Sequence, residues 1–288
     1  MENLRGILLM IAAMAAFTLA DTCIKLVSSE IPVGQVMAFF GLGGTLFFGI
    51  WAFFTGQRLF GAEFFMPVLL LRNATEMFGT FCITTSLFLI PLSSVSVIMQ
   101  AAPLMSTAGA ALVLGQAVGW RRWSAIAVGF TGVLIIVRPG MEGFQPAALI
   151  TLVGVMAQAT RDLSTRVIAH RISAVKIGFY GTFMLMVLGL ILMIFVTPPV
   201  FPSAHTAPFI VAMMVLGTVG YHMLNLAMRQ SDVAVVVPFR YARILFGIIA
   251  GILVFSERPD ALTYIGAAII LGSGLYTFAR ERRMRPAA

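Results

Sequence analysis

Charge is scarce in this chain. Of its 288 residues only 10% are Asp, Glu, Lys or Arg, against about 25% in soluble globular domains. Hydrophobic residues make up 60%, and the mean hydropathy is +0.99. Such a composition suits lipid and excludes an ordinary water-soluble domain. Cysteine is nearly absent: Cys23 and Cys82 are the whole complement. Both fall inside apolar segments without metal-ligand spacing, so neither a disulfide framework nor a thiolate metal site is expected, and both read as small core residues. The three histidines, His170, His205 and His222, sit on separate segments with no HExxH-like spacing, which argues against a membrane-embedded metalloenzyme. No GxxxxGK[ST] loop occurs, so ATP-driven transport by this chain alone is not expected. No cofactor and no metal are implied.

What the chain does have is long apolar runs. A spanning helix needs about 20 predominantly apolar residues, and the sequence divides into ten such stretches with short connections. The expectation is an all-α integral membrane protein whose first partner is the bilayer. The net charge of +8 would suit nucleic acid, but the basic residues follow membrane topology instead. Arg5, Arg58, Arg121, Arg122, Arg161, Arg166, Arg171, Lys176, Arg229 and the C-terminal "RERRMR" gather at one side, while Lys25, Arg138 and Arg258 lie at the other. The positive-inside rule then puts both termini in the cytoplasm of a multi-pass protein of the cell (inner) membrane, with Pro202 and Glu142 outside. The small residues "AMAA" at Ala13 to Ala16 resemble a signal-peptide cleavage site, yet the apolar run continues well past them, so the first span is retained. Composition does not speak to oligomeric state.

A shift of 141 positions, which carries Asp21 onto Asp162, brings two halves into register, 1–140 and 141–288. Lys25 then meets Arg166, Gly79 meets Gly220, and Gln116 meets Glu257. Each half holds five spans. Five is odd, so the second copy enters the membrane upside down. Inverted repeats mark secondary transporters, whose substrate site lies near the midplane where the repeats meet.

The stretches "LGQAVGWRRW" and "GFTGVLIIVRPG" (Leu114 to Gly140), with "VVVPFRYARILFG" and "VFSERPDALTYIGAAIILGSGLY" (Val235 to Tyr276), resemble the drug/metabolite transporter superfamily in its ten-helix EamA branch. The resemblance covers nearly the whole chain and implies two five-helix repeats. It also implies transport of amino acids, nucleotide-like metabolites, vitamins including riboflavin, or drugs. The chain departs from the family pattern in two places. Gly115-Gln116 stands where members usually have Gly-Glu, although Glu257 is kept in the second half. No arginine occurs around Phe40, in "MAFFG".

The candidate site comes from polar residues at depth. At 1.5 Å per residue, Arg72 and Glu76 lie about 9 and 15 Å in from the cytoplasmic end of the third span, and Arg240 and Arg243 about 10 and 15 Å into the ninth. Intramembrane ionisable groups face a wet cavity or a partner. A salt bridge from Glu76 to one arginine, with the others snorkelling, is the plainer alternative. Pro238 removes a helical hydrogen bond beside the arginines, and Pro103 does the same beside Gln100, either as cavity-lining breaks or as packing kinks. Gln158, Tyr221 and Asn225 add polar groups, and Tyr241, Phe239 and Phe78 a flat apolar surround. The expected substrate-binding set is therefore Arg72, Glu76, Gln100, Gln158, Tyr221, Asn225, Arg240, Tyr241 and Arg243. His222 is the candidate for proton coupling, or a hydrogen-bonded core residue. Asp21/Lys25 and Asp162/Arg166 are i,i+4 pairs at opposite ends of the first and sixth spans; they read either as gates or as helix-end salt bridges.

The function expected is secondary active transport of a small organic metabolite by alternating access. An amino acid or related anionic or zwitterionic solute moved outward is the first reading. Uptake of riboflavin or another vitamin or nucleotide-like metabolite is the second.

Overall fold

The computed structural model describes residues 2–116, 119–141, 143–168, 171–230 and 233–284; Glu142 and His170 lie outside the described residues. The first half runs α1 (Glu2–Val27), α2 (Val33–Phe54), a 3₁₀ turn (Ala62–Phe65), α3 (Pro67–Leu89), α4 (Leu92–Met99), α5 (Ala102–Val113) and α6 (Trp120–Val137). The second runs α7 (Ala147–Ile168), α8 (Ala174–Phe195), α9 (Ala207–Gln230), α10 (Val233–Val236), a 3₁₀ turn (Val237–Tyr241), α11 (Ala242–Phe255) and α12 (Ala261–Met284). No strand occurs among the described residues. α4 with α5 makes the fourth span, and α10, its 3₁₀ turn and α11 make the ninth. The fold is thus all-α, with ten transmembrane helices in two inverted five-helix repeats.

Helix ends follow local chemistry. Pro67 opens α3, where its missing N–H is not needed. Ser173 caps α8 by accepting a hydrogen bond from the Lys176 amide at 3.3 Å. α6 and α11 both end on a left-handed residue, Arg138 (φ 50°) and Ser256 (φ 54°), the conformation that lets a helix turn off its last carbonyls. The two expected prolines interrupt two spans. α5 restarts with Pro103 in its first turn, and Pro238 lies at the start of the 3₁₀ turn before α11.

The halves interleave. α1 packs on α9 and α3 on α7, while α2 packs on α8 and α6 on α12. Exchanging the halves converts the α1–α9 contact into α7–α3 and leaves the other two unchanged, as a two-fold relation requires. Glycine makes the α2–α8 crossing possible. A Cβ at Gly41 would lie 2.7 Å from the Met186 Cα and one at Gly189 would lie 2.7 Å from the Ala38 Cα, too near for any larger residue.

Among the described residues, seven segments are long and apolar enough to cross a membrane by composition alone. α3 and α7 are not among them, and α12 contributes only the apolar stretch Ala261–Thr277. The two central helices that fall short are those carrying Arg72, Glu76, Arg161 and Asp162.

Candidate functional site

Where the halves meet, a cavity of about 200 Å³ opens between α1, α2, α3, the α4–α5 break, α7, α8, α9 and the start of α11. Phe17, Phe40, Phe48, Met14, Met37 and Tyr221 give it an apolar and aromatic wall, with Phe48 and Tyr221 edge-to-face at 5.5 Å. Its ionisable lining consists of Asp21, Arg72, Glu76, Arg161, Arg240 and Arg243. Arginines outnumber carboxylates four to two in that set.

The charges form two clusters. In the first, the Glu76 carboxylate accepts from Arg72 of its own helix at 2.7 Å through one oxygen and from Arg161 of α7 at 2.8 Å through the other. Arg161 also donates from two nitrogens to Asp162, at 2.8 and 3.1 Å. Arg72 reaches Asn73 at 3.0 Å and the Ile177 carbonyl at 3.4 Å. Every charge in this cluster has an opposite neighbour. In the second cluster, Arg243 donates to Asp21 at 2.5 Å and lies over the Phe17 ring, 5.4 Å from its centroid. Its Nε is buried with no partner. Arg240 has no ion pair among the described residues. Its main-chain carbonyl instead accepts from the Gln100 side chain at 2.9 Å, which ties the break in the fourth span to the break in the ninth. Broken backbone at membrane depth is tolerated where it lines a cavity or is paired in this way.

Seven of the nine expected substrate-binding residues line the cavity: Arg72, Glu76, Gln100, Gln158, Tyr221, Arg240 and Arg243. Asn225 and Tyr241 do not. Asn225 bonds back to the Tyr221 carbonyl of its own helix at 2.9 Å. Tyr241 is buried, its hydroxyl unpartnered, against Gly274 of α12. Phe78 is 50% exposed on the outer surface, and Phe239 packs with Met10 and Val236; neither lines the cavity. His222 is also outside it, against the rings of Trp51 (4.8 Å, tilted) and Phe47 (6.0 Å, edge-on).

The expected i,i+4 pairs do not form. Asp21 takes the fork of Arg243. Lys25 turns to Glu257 and to the Leu87 and Ile90 carbonyls. Asp162 takes Arg161, its immediate neighbour, and leaves Arg166 exposed. In each case a donor within reach in the fold displaces the neighbour one turn away on the helix. Arg161 is the functional-site candidate that sequence reasoning missed. It counts as a cytoplasmic-end residue by position, although the depth argument that admitted Arg72 applies to it equally. The threonines Thr80, Thr84, Thr182 and Thr218 also line the cavity and carry no sequence signal. In an apolar helix a threonine hydroxyl bonds back to its own turn, as Thr218 does to Met214 at 2.8 Å.

Comparison with known proteins agrees with this architecture. The EamA-like transporter family matches residues 4–138 and again 145–278. The chain is 28% identical over 285 residues to a riboflavin transporter of Rhizobium johnstonii, covering 96% of this chain and 92% of that protein. It is 26% identical over 218 residues to an S-adenosylmethionine uptake transporter of Rickettsia prowazekii, covering 74% and 72%. The pseudopaline exporter CntI of Pseudomonas aeruginosa is 25% identical over 269 residues, covering 92% and 93%. A solved crystal structure at 18% identity shares the fold, with a TM-score of 0.66 over 98% of this chain and 99% of that one. Two matched segments spanning almost the whole chain, together with these relatives, place it: the protein belongs to the EamA-like transporter family.

Proposed function

We propose that the protein is a secondary active transporter of the cytoplasmic membrane that moves a small organic solute bearing a carboxylate or similar anion. An amino acid or related metabolite is the leading substrate class. The observation that supports this is Arg240, which makes no direct ion pair among the described residues and meets Asp162 only at longer range, in a cavity whose other arginines are bonded directly to acids. A charge at membrane depth costs roughly 2.5–3.5 kcal/mol on insertion scales, so one kept without a directly bonded carboxylate suits a ligand that supplies it. Guanidinium offers a planar fork of donors matched to carboxylate, and the aromatic wall suits a flat or apolar remainder.

Alternating access fits an inverted repeat around a midplane cavity. Asp21, Lys25, Asp162 and Arg166 are then groups whose partners change between the two states, and both termini lie in the cytoplasm. Export is the direction we favour, with uptake as the second reading, since relatives named as uptake transporters match alongside one named as an exporter. Turnover of a substrate without net movement would instead mark an enzyme.

The test is flux in proteoliposomes over a panel of amino acids, S-adenosylmethionine and riboflavin. Counterflow of a carboxylate-bearing solute, lost in Arg240→Gln, is expected. Transport confined to solutes without an anionic group, or full activity in Arg240→Gln, overturns the assignment.

A further inference from the structure

The end of the molecule that carries the C-terminus of α1 holds a second charged cluster outside the cavity lining. Lys25, in the last turn of α1, donates to the Ile90 carbonyl at 2.5 Å and to the Leu87 carbonyl at 3.3 Å. Leu87 lies in the last turn of α3, and Ile90 in the turn that joins α3 to α4. Beside that turn, Glu257 follows the left-handed end of α11 at Ser256. One Glu257 oxygen accepts from the Leu92 amide at 2.7 Å, and the other accepts from the Ser93 amide at 3.0 Å and the Ser93 hydroxyl at 2.7 Å. Lys25 and Glu257 are themselves 3.8 Å apart.

Helix termini leave main-chain groups that need outside partners. The N-cap of α4 is Pro91, which has no side-chain group to offer, so Glu257, 165 positions beyond Leu92, supplies the acceptor. The α3–α4 hairpin is therefore clasped from both sides: a cation from α1 on its carbonyls and an anion from the end of α11 on its amides. Leu92 and Ser93 are essentially buried, so these charge-assisted bonds are not shared with bulk water. The clasp also adjoins the substrate path, because Leu87, whose carbonyl it holds, and Ile24, beside Lys25, both line the cavity.

The same two positions can be read at the opposite end. Moved by the repeat interval, Lys25 becomes Arg166 and Glu257 becomes Gln116. α5 packs on α7 there as α11 packs on α1 here. Gln116 is uncharged and exposed, and Arg166 is exposed without an ion pair among the described residues. One end has the cation and the anion; its counterpart has the cation alone.

We propose that Lys25 and Glu257 form a latch that holds the α3–α4 hairpin shut over the cavity. Gln116 leaves the opposite end without an equivalent, so the empty transporter rests closed at the Lys25 end. This rests on the alternating-access reading above and adds the residues that bias it. A two-state equilibrium follows the difference in interaction between its states, and an acid present at one end only is such a difference.

The test reads conformation without a substrate, so a failure to find the transported solute does not affect it. A Leu87→Cys reporter in a Cys23→Ser/Cys82→Ser background is reconstituted and treated with a membrane-impermeant maleimide from the Lys25 side. With the clasp intact, labelling is slow. In Glu257→Gln it is expected to rise roughly tenfold, the population change that loss of one charge-assisted hydrogen bond implies. Lys25→Met, which keeps the aliphatic stem, is expected to act in the same direction. An unchanged rate in whichever of these elutes as the parent does overturns the latch. Gln116→Glu, at an exposed position, supplies the missing acid at the far end and is expected to speed labelling too; no change there overturns the assignment of the bias to residue 116.

Discussion

The two charged clusters of the cavity are built from the same residue types, yet they are in different states. Around Glu76 the charges alternate, Arg72, Glu76, Arg161, Asp162, and each is bonded to an opposite neighbour. Around Asp21 the alternation stops: Asp21 holds Arg243, and Arg240 beside it has Asp162 within electrostatic reach but no acid bonded to it. A closed network of buried charges fixes geometry, whereas removing one member leaves uncompensated charge and is strongly destabilising. A network with a surplus member is already prepared for a ligand. The first cluster is therefore read as a brace between α3 and α7, and the second as the place where solute binds.

Five variants test that division. The largest effect on stability is expected from Glu76→Ala, which strips Arg72 and Arg161 together of their shared acid; a loss of about 3 kcal/mol or more is expected, read as a fall in the melting midpoint in detergent. A midpoint close to the parent's would show that the cluster is not a brace. Arg240→Gln reverses the pattern: stability should stay within about 1 kcal/mol of the parent's, because no direct ion pair is lost, while solute affinity falls. Arg240→Lys keeps the charge but loses the fork, and a roughly tenfold weaker dissociation constant is expected by equilibrium binding. Equal loss of stability in Arg240→Gln and Glu76→Ala would erase the distinction.

Asp162→Asn is expected to cost only about 1 kcal/mol, since Arg161 keeps Glu76, and to slow flux more than it weakens binding. The smallest effect belongs to a control outside the membrane. Glu30 accepts hydrogen bonds from the Thr206 hydroxyl and from the amide and hydroxyl of Ser203, which hold its carboxyl below the usual carboxylate range. Its contribution is complete above the unfolded value and is lost as pH falls through the lowered folded one. The small midpoint difference between the parent and Glu30→Gln should accordingly be present at neutral pH and vanish in acid. A difference that grows on acidification would contradict the sign.

The spans, the inverted repeat and the shared cavity of Arg72, Glu76, Arg240 and Arg243 were legible because they depend on composition, period and position along one helix. Partner choice was not. Asp21 and Arg243 are 222 positions apart, and no helical spacing on α1 reveals that a guanidinium from the ninth span outcompetes Lys25. Tyr241 was misplaced for a related reason. A continuous α-helix through Val235 to Phe255 would advance about 100° per residue, but Val237–Tyr241 is a 3₁₀ turn, which advances about 120°. That change of phase, together with its place between two cavity arginines, turns Tyr241 toward α12. Nothing in the sequence tells that Trp51 and Phe47 of another helix pack against His222.

The bond between Glu76 and Arg161 also has a consequence for how the chain is made. Its two ends are 85 residues apart, and neither α3 nor α7 is apolar enough to be counted as a spanning segment by itself. At synthesis rates of about 5–20 residues per second, the ribosome needs on the order of ten seconds to reach Arg161 after Glu76 has emerged. Through that interval Glu76 has only Arg72 as a partner, and α3 waits at the insertion machinery or in lipid with an incomplete set of contacts. Order of synthesis thus becomes a constraint on the cavity's charges: a first half expressed alone retains an acid whose second counter-ion is encoded only in the second, and co-expressing the severed halves should rescue its accumulation in the membrane.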